Sequence, residues 1–273
     1  MVQLLKIEWF KVKKYTAFII LSLFFVVGVL LTNYIVYSVN KNIVSNVGPK
    51  GLISFSPYSF DNTWQTTSYA TGFILLLPAV LLVMLLTNEY AYKTHRQNII
   101  DGLSRQQFIS VKMMMALIFA IVSTVLVFIT ALIFGLGSGT DFSLTGIEFV
   151  GYFLLKALSY NMIAILFSVL IKRTGFAIGV FFIYLGGENI IANLLDIWSM
   201  KIKQDSGMDL GSMGDYLPMN AADGLLAFPK NSITAMAKSI MPHDYTWIVM
   251  ILACAYLLLF FWWARKKFIS ADL

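Results

Sequence analysis

Lys156, Glu188 and Asp196 stand within or beside long apolar runs of this 273-residue chain. At the centre of a bilayer such a charge costs about 2.5–3.5 kcal/mol on the insertion scale, so it is usually paired or faces water. At ~1.5 Å of rise per residue, Lys156 and Glu188 lie about 22 and 20 Å along neighbouring helices, level enough to pair. Two roles are open to them: a polar patch lining a substrate path, or an ion pair that fixes one helix against the next. The second is preferred, because such pairs also arise simply to satisfy each other in lipid. Side chains for covalent or metal chemistry do not converge. His95 and His243 are expected on opposite sides of the membrane, so no metal site is expected from them. Cys254 is the single cysteine, in an apolar run where a thiol behaves as a small hydrophobe. The sequence contains no G-x-S-x-G elbow, no H-E-x-x-H and no G-x-x-x-x-G-K-[ST] phosphate loop. No catalytic residue is expected, and any nucleotide chemistry belongs to a partner.

The elements that carry these residues follow from composition. Hydrophobic residues make up 59% of the chain and charged ones 12%, where an average soluble domain has about a quarter charged. The apolar residues are bunched into six runs, approximately 16–38, 68–88, 113–136, 147–171, 175–197 and 247–264. Each holds the ~20 residues a helix needs to cross the hydrocarbon, where every backbone polar group must be bonded internally. The fold class expected is therefore an all-α membrane protein, one transmembrane domain over residues 1–273. Run one is too long for a signal-peptide core and is read as a retained helix. Pro78 predicts a kink in run two.

The net charge of +6 does not point to nucleic acid, because the basic residues sit at the ends of apolar runs. Lys6, Lys11, Lys13, Lys14, Lys93, Arg96, Arg105, Lys112, Lys172, Arg173, Arg265, Lys266 and Lys267 collect in alternate loops. The opposite loops hold fewer, Lys41, Lys50, Lys201, Lys203, Lys230 and Lys238, and most of the aspartates. That bias places both termini in the cytoplasm of a bacterial inner-membrane protein. The longer external segment, 198–246, is expected to form short helices at or dipping into the outer interface.

Two cytoplasmic segments invite a functional reading. Before the first span, Leu5, Trp9 and Val12 share a helix face, predicting an elbow along the membrane surface or a plain basic anchor. Between the second and third spans, Glu89–Lys112 mixes charges with Ile99, Ile100 and Leu103, and Gly102 then Ser104 mark a helix end and a new start. A solvated connector has little use for those aliphatics, whereas a helix offered to a groove on another protein does. Gly175, Gly179, Gly186 and Gly187 form a strip of small residues along the fifth span, suited either to a seam between two subunits or to packing within one.

The loop resembles that of the permease subunits of type 2 ATP-binding-cassette transporters. The matching positions are Glu89, Thr94, Arg96, Ile100, Leu103, Ser104, Arg105, Phe108 and Lys112. The likeness extends to the basic elbow, the six spans and the long segment between spans five and six. The family's usual Gly before the Thr is Lys93 here, and its common Pro before Ser-Arg is replaced by Gly102 and Leu103. The resemblance implies a dimer of six-span units, with a second permease subunit identical or different. Each unit would dock a cytoplasmic ATPase subunit, which binds ATP and Mg, through the elbow and a coupling helix. It also implies an exporter of an amphipathic substrate, a lipid, peptide or antibiotic-like compound. Two other classes remain: an ATP-independent secondary transporter using Lys156, Glu188 and Asp196, against which the lack of an internal repeat weighs, and a membrane scaffold or sensor.

Overall fold

The computed structural model describes residues 2–46, 56–229 and 245–271, and the regular structure there is entirely helical. An 11-residue helix α1 (Val2–Val12) turns into α2 (Thr16–Asn46). Helices α3 (Phe60–Gly72) and α4 (Leu76–Ala91) form one interrupted span, broken by a 3-10 turn at Phe73–Leu75. Pro78, in the first turn of α4, has no N–H for the Ile74 carbonyl, and the tighter turn just upstream absorbs the mismatch. The short α5 (Thr94–Ile100) precedes α6 (Arg105–Gly137), α7 (Glu148–Ile171) and α8 (Thr174–Ser206). A 3-10 turn at Met213–Tyr216, the short α9 (Asn220–Gly224) and α10 (Thr246–Ser270) complete the described chain. Six helices are long and apolar enough to cross a membrane: α2, the α3–α4 pair, α6, α7, α8 and α10.

Several helices overrun the expected spans. At 33 residues α8 reaches about 50 Å, well beyond a hydrocarbon core of about 30 Å, and its far turns project past the bilayer. Nothing between Asp196 and Ser206 breaks a helix, and the stop comes only at Gly207, whose φ of 70° terminates α8. Residues 198–206, expected in an external loop, therefore continue the fifth span. The short α9 and the preceding 3-10 turn follow it; residues 230–244, including Lys230, Lys238 and His243, lie outside the described residues, as does Lys50.

The hub of the bundle is α7, which touches α3, α4, α6, α8, α9 and α10. Of its most apolar window 67% is buried against other helices, against 17% for α2. Phe153, Ile163, Ile165 and Leu166 are fully enclosed there. Polar side chains lock neighbours at chosen heights: Asn161 donates to the Ala116 carbonyl of α6 at 2.9 Å, and Asn33 of α2 donates to Thr71 of α3 at 3.2 Å. One end of the bundle gathers α1, α5, the Lys172–Arg173 turn and the C-terminal turn of α10, since Lys112 meets Glu8, Lys172 lies over the Tyr90 ring and Arg105 reaches residues 269 and 271. The segment 213–224 closes the opposite end.

Helices α3 and α6 pack tightly at Gly135, where an added Cβ would stand 2.7 Å from the buried Phe60 ring. Gly135→Ala should destabilise the fold by about 1–3 kcal/mol through overpacking. The change is read as a lowered thermal midpoint in detergent, and adding Phe60→Leu to that variant should recover part of it.

Candidate functional site

At the α1 end, four charged side chains from three helices meet. Lys112, on the first turns of α6 and 5% exposed, holds Glu8 of α1 at 2.5 Å and Glu89 of α4 at 2.6 Å. Lys11 pairs with Glu8 at 2.9 Å and approaches Glu89 at 3.5 Å. Burial opposes ionisation of Glu8, but the Lys112 charge and hydrogen bonds from Lys112 and Lys11 outweigh it and hold the carboxyl below its ordinary value. Burial likewise works against the Lys11 ammonium, and Glu89 and Glu8 overcome it and raise that group. The inward stripe of α1 is accordingly Leu5, Glu8 and Val12, with Val12 3% exposed; Trp9, expected on that face, is 52% exposed and stands edge-on to Phe18. Glu8 was missed because a carboxylate on an otherwise apolar face looks like a flank residue until the lysine opposite is known.

The aliphatic loop divides. Ile100 is 76% exposed and Tyr92 78%, while Ile99 is half-buried and Leu103 turns inward against the main core. The expected three-residue face is thus corrected to a smaller one, because the turn at Gly102 rotates Leu103 back over the bundle. His95 is buried, its Nδ1 2.9 Å from the Glu89 carbonyl and its ring against Tyr90. Thr94 and Arg96 are exposed. Lys93 takes φ 56°, a region where glycine is the usual occupant and another residue carries about 1–2 kcal/mol of strain. Ser104 caps α6 in a reciprocal box with Gln107. Arg105 does not face outward: it donates to the Ile269 and Ala271 carbonyls at 2.9 Å, and Phe108 stacks on Phe268 with planes 7° apart. The loop is thereby tied to the end of α10.

The intramembrane charges form a different network from the one expected. Lys156 pairs with Asp223 of α9 at 3.1 Å, and Tyr160 donates to the same carboxylate at 3.0 Å. Glu188 accepts instead from the Met219 and Asn220 backbone N–H groups at 2.5 and 2.8 Å and from the Asn220 side chain. Asp196 accepts from the Gly214 N–H at 2.8 Å. The correction has a plain cause: rise along a helix gives height but not azimuth, and the 219–223 segment supplies the partners of both, Asp223 to Lys156 and the Met219 and Asn220 N–H groups to Glu188. Asp223 carried no signal in the sequence, since it lies among external aspartates.

The four glycines of α8 are exposed or half-exposed, and a Cβ on any of them would meet nothing within 4 Å. Close packing inside this chain therefore does not explain them.

Six membrane-length helices around a buried hub, with a polar ion cluster at one end and a hydrogen-bonded plug at the other, define a polytopic membrane protein. Residues 4–187 match the profile described as ABC-2 family transporter protein. The chain belongs to that family, and is a transporter permease subunit. No curated protein matches it. The matched region begins within α1, takes in the ion cluster and α5, and ends one residue before Glu188.

The network around Lys156 can be dissected by replacement. Lys156→Met or Asp223→Asn alone strands a charge or its partner in a buried setting and should cost about 3–5 kcal/mol, whereas the double variant should cost clearly less than the sum. Thermal unfolding of the four proteins in detergent measures the coupling. At the other end the pH response carries a sign. The lowered Glu8 contributes stability fully above the ordinary value of 4.5 and loses it as pH falls through the folded-state value; the raised Lys11 contributes below 10.5 and loses it at higher pH. Glu8→Gln should lower the midpoint at pH 7, and the gap to the unsubstituted protein should narrow on acidification below about pH 4.

Proposed function

We propose that this permease subunit belongs to an exporter of the bacterial inner membrane, with both termini cytoplasmic and α5 as the helix that receives the movement of a separate ATPase subunit. What supports this reading is the placement of Ile100. An aliphatic side chain stands almost fully exposed on a short helix whose flanks are fixed to α1, α4, α6 and α10 by the ion cluster and by Arg105. Force applied there passes into four helices without first melting a flexible linker. ATP and Mg would be bound by the partner, and α1 would lie along the membrane surface as an elbow, with Trp9 at headgroup depth.

A second permease subunit, identical or different, would meet the glycine strip of α8, whose small residues admit a close helix approach. The cargo fitting aromatic-rich, apolar walls is amphipathic: a lipid, peptide or antibiotic-like compound. An ion-coupled carrier finds less support, because Lys156, Glu188 and Asp196 are each engaged by the 213–224 segment.

Ile100→Glu, at a solvent-facing position, should leave folding unchanged and reduce co-purification of the ATPase subunit and cargo export at least tenfold, since a buried unpaired carboxylate would enter the joint. Unchanged attachment and export in that variant and in Tyr92→Glu would remove α5 as the coupling element.

A further inference from the structure

Of the six spans, α10 alone holds neither glycine nor proline; each of the other five holds at least one. Its 25 residues make an unbroken helix about 37 Å long. Glycine loosens a helix and proline kinks it, so α10 is built to move as one piece. Each end is joined to a different part of the molecule. The inner end is capped from another helix: Arg105, the first residue of α6, donates to the Ile269 and Ala271 carbonyls at 2.9 Å, filling acceptors that a helix C-terminus leaves without an intrahelical donor. One turn on, Phe108 lies flat on Phe268, ring centres 5.0 Å apart. The other half meets the segment that closes the far end of the bundle. Tyr256 donates to the Tyr216 carbonyl at 3.0 Å, and Val249 and Ala253 pack with Ala221, Ala222 and Leu225.

Between those joints the hold is thin. Val249, Ala253, Phe260, Ala264 and Phe268 form one buried stripe, and 22% of the most apolar window of α10 is buried, against 67% for α7. The hub is fixed by the helices around it. A helix held along one stripe can instead shear past a packed neighbour, and small slides of this kind are a recurrent form of switching motion.

We propose that α10 is a strut: it sets how firmly the 213–225 segment closes the far end according to where the start of α6 sits, and Arg105 is the positioning residue of its inner joint. A shift of the α5 loop moves Arg105 and Phe108, these carry the last turn of α10, and Tyr256 delivers the shift to Tyr216. Lys156 of α7 and Glu188 of α8 hold the same segment from other sides. Movement of α10 by itself therefore changes the balance among the segment's attachments. The strut's meaning as a coupling device rests on α5 receiving the ATPase subunit; the mechanical link does not.

The test uses the full chain in lipid nanodiscs with no ATPase present. Amide exchange is read by mass spectrometry over residues 213–225, where Gly214, Met219 and Asn220 donate their N–H groups to α8. Arg105→Met keeps the aliphatic stem and removes the donors, and should speed exchange there about fivefold, within the range of coupling between distant sites. Phe108→Leu should act in the same direction without touching a charge. Arg105→Lys restores a donor and should return exchange toward the unsubstituted rate. Glu8→Gln loosens the same end without removing a contact to α10, and should leave the segment unchanged. Arg105 and Tyr256 act about 20 Å apart along α10. Independent effects at that distance multiply, whereas joints in series saturate, so Arg105→Met with Tyr256→Phe should exchange no faster than the faster single variant. Unchanged exchange in both Arg105→Met and Phe108→Leu, an equal rise in Glu8→Gln, or a multiplied effect in the double variant would each overturn the strut. Such a result would leave α5 as the docking element untouched, because the Ile100 variants are read with the partner present.

Discussion

An ammonium group drawn out of water must find carboxylates within hydrogen-bond reach, and two such groups organise this molecule. Lys112 and Lys156 are each at most 8% exposed. Each recruits a partner from a segment too short to cross the membrane: Glu8 from α1, Asp223 from α9. Burial helps to hold both, Val12 of α1 being buried and Ala221, Ala222 and Leu225 packing against Val249 and Ala253 of α10. Charge adds to that hold conditionally, because an ion pair in a low dielectric is of small net benefit while intact and severely unfavourable once one member is missing.

The two ends consequently differ in kind. At the α1 end, charges and the Arg105 cap bind α1, α4, α6 and α10 into a unit around α5. At the far end, α8 grips the 213–224 segment through Glu188 and Asp196, while α7 reaches it through Lys156 and Tyr160. Any displacement of α8 relative to α7 has to separate the segment from one of them. From α7, Lys156 and Tyr160 both bind Asp223, and from α8, Glu188 receives three donors and Asp196 one.

Much of this architecture was legible in the order of residues. Apolar runs long enough to cross the bilayer identified all six spans, and the break near Pro78 and the restart at Ser104 followed from local backbone chemistry. Boundaries were less legible: α8 continues to Ser206 because helix ends depend on where a stop such as Gly207 occurs, not on where hydropathy falls. The candidate coupling loop was recognised through its motif, yet the side chains it exposes were not, since the turn at Gly102 sends Leu103 inward and leaves Ile100 with Tyr92 outside.

By itself the sequence determined the solvent of this chain, its six spans, the loop with its motif, and which side chains would be unhappy alone in lipid. All of these depend on composition and on short-range periodicity. Only the tertiary structure decided who answers whom: Glu8 for Lys112, Asp223 for Lys156, backbone N–H groups for Glu188. Partnership between distant residues depends on the rotation of each helix about its axis and on which loop is inserted between them, and neither is written in the spacing of residues along one strand of chain.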